Sequence, residues 1–297
     1  MKLLKKILVA TDSRLSDQCI VEAAYQLAKH NGASLTIVTV VPRLNWAAKF
    51  ADEDAKSLDQ SLQDEASERL MQIVDPYLGK EVEVKTKLLE GKASINLIRE
   101  VIAGDYDLLI AVSKGKASRR SGTFGQTAKQ LLRNCPCPLL LTPRGVLPEF
   151  KHVTACVDTS SGDSLDAELN DKVYNLASAI SQQNEARMSV LQAWTMEGEA
   201  ILRTRLKPKV VDGYARSTFN HQKELLTKFL AQFRADDIEN DIHLIKGPAP
   251  QTIGFFTLDH HVDLVVMGTV ARSGLTGMLL GNTAEKILER IEWLSKF

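Results

Sequence analysis

The chain carries one pattern twice, and an internal duplication constrains a fold more tightly than any single motif. Leu4-Lys-Lys-Ile-Leu-Val-Ala-Thr-Asp12, an apolar run closed by an acid, returns as Lys151-His-Val-Thr-Ala-Cys-Val-Asp158, 146 positions later. Farther on, Asp105-Tyr-Asp-Leu-Leu-Ile-Ala-Val112 returns as His261-Val-Asp-Leu-Val-Val-Met-Gly268, and the turn Leu89-Glu-Gly-Lys-Ala-Ser94 as Ile245-Lys-Gly-Pro-Ala-Pro250, both at an offset of 156. The offsets differ by ten, so the second half is expected to hold an insertion between its first and third strands. The long segment Met196 to Tyr214 is its expected place.

Within each half, short apolar runs alternate with stretches of helical period. The first half reads as strand 4–11, helix 15–31, strand 34–41, helix 53–77, strand 81–89, helix 93–103, strand 107–112, helix 122–134 and strand 138–142. Helix 15–31 carries Ile20, Ala23, Ala24, Leu27 and Ala28 on one face and stops at Asn31-Gly32, a usual helix terminator. The second half reads as strand 151–157, helix 164–183, strand 187–194, helix 215–235, strand 240–246, helix 250–259, strand 262–267 and helix 277–292. A last strand would need residues 294–298, and only Leu294-Ser-Lys-Phe297 is there. Alternating strands and helices imply right-handed crossovers and parallel sheets covered on both faces. The expected fold class is therefore α/β: two tandem doubly wound parallel-sheet domains, 1–144 and 149–297, the second sheet lacking most of its fifth strand. Pro143-Arg-Gly-Val-Leu-Pro148 links them.

Composition narrows the function classes. The 297 residues hold 37 basic and 37 acidic side chains, which leaves no cationic surplus for a polyanion, so no nucleic-acid partner is expected. No apolar run reaches the length of a membrane span, and Lys5-Lys6 interrupts the first one, so neither a membrane segment nor a signal peptide is expected. Cys19, Cys135, Cys137 and Cys156 do not make a disulfide framework, and Cys135-Pro-Cys137 lacks the C-x-x-C spacing of redox and zinc motifs. A cytoplasmic protein with free thiols is the plain reading.

In an open parallel sheet, ligands collect beyond the carboxyl ends of the strands where the strand order reverses. That point falls between the first and fourth strands of each half, with Asp12 and Asp158 at its mouth. In the second half the following loop runs Gly268-Thr269-Val-Ala-Arg272-Ser-Gly274-Leu-Thr-Gly277-Met-Leu-Leu-Gly281-Asn282-Thr283. Glycines and hydroxyls before a helix leave backbone N–H groups open to a phosphate. The plain alternative is a glycine-rich turn that lets strand pass to helix.

Several residues together resemble the universal stress protein family in its tandem two-domain form. They are Ile7-Leu-Val-Ala-Thr-Asp12, Leu27-Ala-Lys-His-Asn-Gly-Ala-Ser-Leu-Thr-Ile-Val38, Cys135-Pro-Cys-Pro-Leu-Leu-Leu141, and Val265-Val-Met-Gly-Thr269 through Gly281-Asn-Thr-Ala-Glu285. The resemblance implies an adenine nucleotide alpha hydrolase-like fold and a loop of the form G-x2-G-x9-G-[S/T] that holds ATP, with or without Mg2+, beside the first-strand aspartate. Carried onto the second half, it selects Asp158, Gly268, Gly281, Asn282 and Thr283, with Thr269 and Arg272 in the same loop; Ala271 stands where the second glycine belongs. In the first half the matching positions are Asp12, Val112, Gly115, Gly125 and Gln126, a weaker site, with Lys114, Lys116, Arg119 and Arg120 crowding the loop. The resemblance also implies self-association, expected as a homodimer.

Other motifs lose to simpler readings. Gly91-Lys92-Ala-Ser lacks the upstream glycine of a P-loop, Thr86 standing there. His260-His261 has no partner at metal-ligand spacing. No G-x-S-x-G elbow and no Gly-x-Gly-x-x-Gly fingerprint occurs. Three functions follow as expectations: a stress-response protein that binds ATP in the second half, a slow ATPase using Asp158, Arg272 and Thr283, or an interaction module for apolar or other ligands with relic sites.

Overall fold

A computed structural model describes residues 4–12, 17–43, 53–113, 125–145, 149–161, 163–233 and 241–268. In the first half, β1 (Lys6–Thr11), β2 (Ser34–Val41), β3 (Val84–Glu90), β4 (Leu108–Val112) and β5 (Leu139–Thr142) form one sheet. Their order is β3-β2-β1-β4-β5 and every neighbouring pair is parallel. The connecting helices are α1 (Gln18–Asn31), α2 (Glu53–Val74), α3 (Ala93–Gly104) and α4 (Gln126–Asn134).

The second half repeats this with β6 (His152–Cys156), β7 (Arg187–Trp194), β8 (Ile242–Lys246) and β9 (Leu264–Met267), in parallel order β8-β7-β6-β9. Its helices are α5 (Ser164–Gln183), α6 (Glu199–Arg205), α7 (Pro208–Ala231) and α8 (Ala249–Asp259). The fold is thus α/β with two parallel sheets. Among the described residues the second sheet has four strands against five; the expected helix 277–292 and the missing strand's place lie outside the described residues.

Strand alternation explains the unbroken apolar runs. Ile7 and Val9 of β1 enter a core with Val21 and Ala24 of α1 and Leu70 and Val74 of α2. Leu8 and Ala10 face the other way, onto Leu97 and Val101 of α3 and Leu131 of α4. Because helices cover both faces, both parities of β1 are apolar. The second half keeps one such face, with Val153 and Ala155 packing on Val173, Ala177, Leu226 and Leu230, while the other parity of β6 carries His152 and Thr154, both hydrogen-bonded to Ser189 of β7.

The paired strands also locate the insertion, and it is not where the sequence placed it. Lys6 sits opposite Ser34 and His152 opposite Arg187, so the offset grows from 146 to 153 before the second strand is reached. Ile37 sits opposite Thr86 and Val190 opposite Ile242, which brings it to 156. Seven of the ten extra residues therefore precede β7, and only three follow it in the region of Met196–Tyr214. The strands expected at 34–41 and 187–194 already stand 153 apart, so matching those two in the sequence divides the ten in the same way. The seven lengthen the approach to the second half's first helix, which has 20 residues where α1 has 14. Met196–Tyr214 itself is largely helical: it holds α6 and the start of α7, which begins at Pro208 rather than at the expected 215.

Duplicated polar details sit beside the duplicated core. Asp107 accepts the backbone N–H groups of Lys5 and Lys6 at 2.8 and 2.9 Å, and Asp263 those of Lys151 and His152 at 3.0 and 2.9 Å. Each carboxylate ties the entry of the first strand to the fourth. The residues two before them, Asp105 and His261, both adopt left-handed φ of 51° and 50°, so the tight reversal after the preceding helix is a property of the repeat. Removing one clamp should cost its half on the order of 2 kcal/mol, the expected penalty for stranding two amides. Asp263→Ala, followed by urea unfolding, should lower the midpoint of the second half's transition and leave that of the first in place.

Candidate functional site

Strand order reverses between β1 and β4 and between β6 and β9, so the crevice expected from the sequence exists at the carboxyl ends of both first strands. Asp12 directly follows β1. Its backbone N–H donates to Asp17 Oδ2 at 2.9 Å, and Thr11 Oγ1 donates to the same oxygen at 2.8 Å. The Asp17 side chain is fully buried, and a carboxylate taken out of water needs a cation. Arg144, just beyond β5, supplies it at 3.3 Å, and the same guanidinium hydrogen-bonds the Asp12 carboxylate. The first mouth therefore carries its own cation.

The second mouth is built differently. The Asp158 N–H donates to Asn170 Oδ1 at 3.0 Å, and Asn170 Nδ2 donates back to the Asp158 carbonyl at 2.8 Å. Asn170 is the counterpart of Asp17. The buried faces of the two helices align at the offset of 153, Ile20, Val21 and Ala24 on Val173, Tyr174 and Ala177. A neutral amide replaces a carboxylate beneath the strand-end aspartate, so the position demands no counterion. The exposed Asp158 carboxylate accepts from Ser160 N–H at 3.1 Å and Ser160 Oγ at 2.5 Å. Beside it, Thr159 N–H and Oγ1 donate to Gln192 Oε1 at 3.3 and 2.9 Å. Gln192 is fully buried and passes its own donor to Gln222 Oε1 at 2.8 Å.

Gly268 ends β9 at this mouth. A Cβ there would stand 2.6 Å from Leu169 Cδ2, and Leu169 lies on the N-terminal extension of α5. Close packing against the Leu169 side chain thus favours a glycine at this position whether or not a phosphate approaches. In the first half, Gly125 caps α4 with extended backbone, its N–H donating to Ser113 O at 2.9 Å, and Gln126 is the first helical residue. Ser113 follows β4 and donates to Thr142 O of β5 at 2.8 Å, so the N-terminus of α4 lies at the carboxyl edge of the sheet. Gly115, Thr269, Ala271, Arg272, Gly281, Asn282 and Thr283 lie outside the described residues. Asp17, Asn170, Arg144 and Gln192 went unread in the sequence, although the strands expected at 34–41 and 187–194 share the offset of 153 that pairs Asp17 with Asn170.

A separate polar cluster occupies the opposite, amino edge of the second sheet. His152 Nε2 pairs with Ser189 Oγ at 2.9 Å, and the His243 ring lies 5.1 Å from that of His260, which stacks on Phe256. Among the described residues no group of three His, Cys, Asp or Glu side chains could hold a metal. Burial, followed by the neighbouring His260, pushes His243 below its ordinary 6.5, against the pull of Asp241.

The universal stress protein family pattern matches residues 4–143 and again 149–293. The chain belongs to the universal stress protein family, in tandem-domain form. Universal stress protein E of Photorhabdus laumondii is 23% identical over 97% of this chain and 92% of its own length. Universal stress protein E of Escherichia coli K12 is likewise 23% identical over 98% and 92%. A functionally unknown Pseudomonas aeruginosa PAO1 protein shares the fold with a TM-score of 0.70 at 21% identity, covering 98% of this chain and 91% of its own. A universal stress protein from Archaeoglobus fulgidus does so with 0.60 at 16%, covering 96% and 94%.

Two outcomes follow from the electrostatics. Arg144→Ala should cost roughly 3 kcal/mol in urea unfolding, because it strands the buried Asp17 charge, and adding Asp17→Asn should recover most of it. His243 is held neutral by folding, so its contribution is complete above the unfolded value of 6.5 and lost as pH falls through it. His243→Phe should flatten the stability profile over roughly pH 7 to 5.

Proposed function

We propose that this protein serves a stress response by binding an adenine nucleotide, ATP with or without Mg2+, at the mouth of the second half. It works as a binding and regulatory protein of the cytoplasm, as a homodimer, rather than as a catalyst of turnover. The observation that carries the reading is the polar surround of Asp158 at the carboxyl edge of the second sheet. Asn170 pins its backbone N–H and carbonyl, Ser160 donates to its carboxylate, and Thr159 beside it donates to Gln192.

The residues present fit the adenosine portion of such a ligand. A carboxylate at the carboxyl edge of a parallel sheet is the acceptor that ribose hydroxyls use in open α/β folds. The part-buried line from Thr159 through the buried Gln192 to Gln222 is fully neutral and suits a flat, uncharged heterocycle better than an anion. The phosphates would rest on the loop after Gly268, where Gly281, Asn282 and Thr283 supply backbone and side-chain donors, with Thr269 and Arg272 beside them. The first half's Asp12, Gly115, Gly125 and Gln126 would form the poorer site.

Calorimetry with ATP and Mg2+ should find one site per chain. Asp158→Ala should weaken it about tenfold or more, equivalent to ~1.4 kcal/mol, while Asp12→Ala should leave the affinity unchanged. No heat at millimolar nucleotide, or equal loss in both variants, would overturn the reading.

A further inference from the structure

The turn between α4 and β5 carries Cys135-Pro136-Cys137, a motif that the crevice leaves unused. Cys135 closes α4, its N–H donating to Leu131 O at 2.8 Å. After Pro136 the chain enters the sheet, where the Pro138 carbonyl accepts the Leu109 N–H at 3.0 Å. One end of the turn is thus anchored to a helix and the other to a strand. Between those anchors the two sulfurs stand 3.7 Å apart with an S–H between them. Both residues are partly exposed, and both also lean on the apolar cluster beneath α3 and α4.

Two thiols held in contact at a partly open surface have a chemistry that a lone cysteine lacks. We propose that Cys135 and Cys137 form a thiol–disulfide exchange site for low-molecular-weight disulfides, Cys135 attacking and Cys137 resolving. The Cys135 thiolate attacks one sulfur of the small disulfide, a mixed disulfide forms, and one small thiolate leaves. Cys137 then gives up its proton to solvent and attacks the Cys135 sulfur, expelling the second small thiolate. The protein dithiol loses two electrons and two protons, and the small disulfide gains them as two thiols. Only about 1.7 Å of approach separates the present contact from the ordinary S–S bond length of ~2.05 Å.

Either sulfur can hold the shared proton, and Cys137 Sγ also lies 3.4 Å from the Pro138 carbonyl oxygen. With Cys137 as the donor, the Cys135 thiolate is favoured and its pKa lowered, while the same partner together with burial raises that of Cys137. Attack runs through the thiolate, so the sulfur that ionises first leads. Cys156 cannot compete, because burial pushes its thiol up to about 12.

The test treats the reduced, full-length protein with glutathione disulfide and reads the products by intact mass and peptide mapping. The wild type should lose two hydrogens in a peptide linking Cys135 to Cys137. Cys137→Ser should stop at a stable glutathione adduct on Cys135, and Cys135→Ser should slow the first adduct at least about tenfold, as loss of the low-pKa thiolate requires. The Cys19→Ser and Cys156→Ser variants should behave as wild type. A stable adduct on Cys135 in the wild type, with Cys137 still free, would overturn the resolving role. Equal rates of modification at all four cysteines would overturn the site altogether.

Discussion

One hydrogen bond, to the N–H of the aspartate that ends the first strand, organises each mouth of this protein. That amide emerges from a parallel sheet with no further strand to satisfy it, so a side chain from the first helix must reach back to it. In the first half the acceptor is Asp17 and in the second Asn170. The two differ by one charge, and the rest of each mouth follows. A buried carboxylate holds an arginine, and the arginine then grips the neighbouring Asp12. A buried amide needs no cation and can donate as well as accept, so it fastens both the N–H and the carbonyl of Asp158. One duplicated scaffold thereby carries a buried carboxylate with its arginine in one copy and a buried amide in the other.

The lengthened entry to α5 is the second structural difference, and it is coupled to the first. The seven residues gained before β7 allow the helix to begin earlier, so Asn170 lies within α5 whereas Asp17 stands immediately before α1. The added N-terminal turns bring Leu169 over the end of β9, where a Cβ at Gly268 would stand 2.6 Å from the end of its side chain. Val112, at the equivalent point of the first half, instead packs against the core shared by α1 and α2. Helix length thus favours glycine at 268 and tolerates valine at 112.

The fold was largely legible in the sequence, because its signals are local and periodic. Apolar runs of strand length, Asn31-Gly32 at a helix end, and the twin turns at Gly91 and Gly247 each fix a piece of backbone, and α5 and β7 begin and end where the pattern put them. The duplicated aspartates at 107 and 263 were visible as letters, although their role as clamps on the first strand was not. What stayed hidden was long-range pairing. Arg144 meets Asp12 across 132 positions, and nothing in the composition of the linker marks that arginine from any other. Asp17 and Asn170 were silent as well, although the strands expected at 34–41 and 187–194 share the offset of 153 that pairs them.

Divergence between the two halves is therefore concentrated where the repeat has freedom to change. The sheet registers, the left-handed reversals at Asp105 and His261, and the aspartate clamps persist because each is fixed by contacts on several sides. The carboxyl edge is different: a residue there can change charge if its immediate partner changes with it. Asp17 with Arg144 is one self-consistent solution, and Asn170 bonded to both the N–H and the carbonyl of Asp158 is another. Mixing them is unfavourable, since Asp17 without Arg144 leaves a buried charge unpaired and Arg144 beside an amide loses its buried partner. A duplicated chain can move from one solution to the other only by changing both positions, and that coupling keeps the two mouths distinct within a single polypeptide.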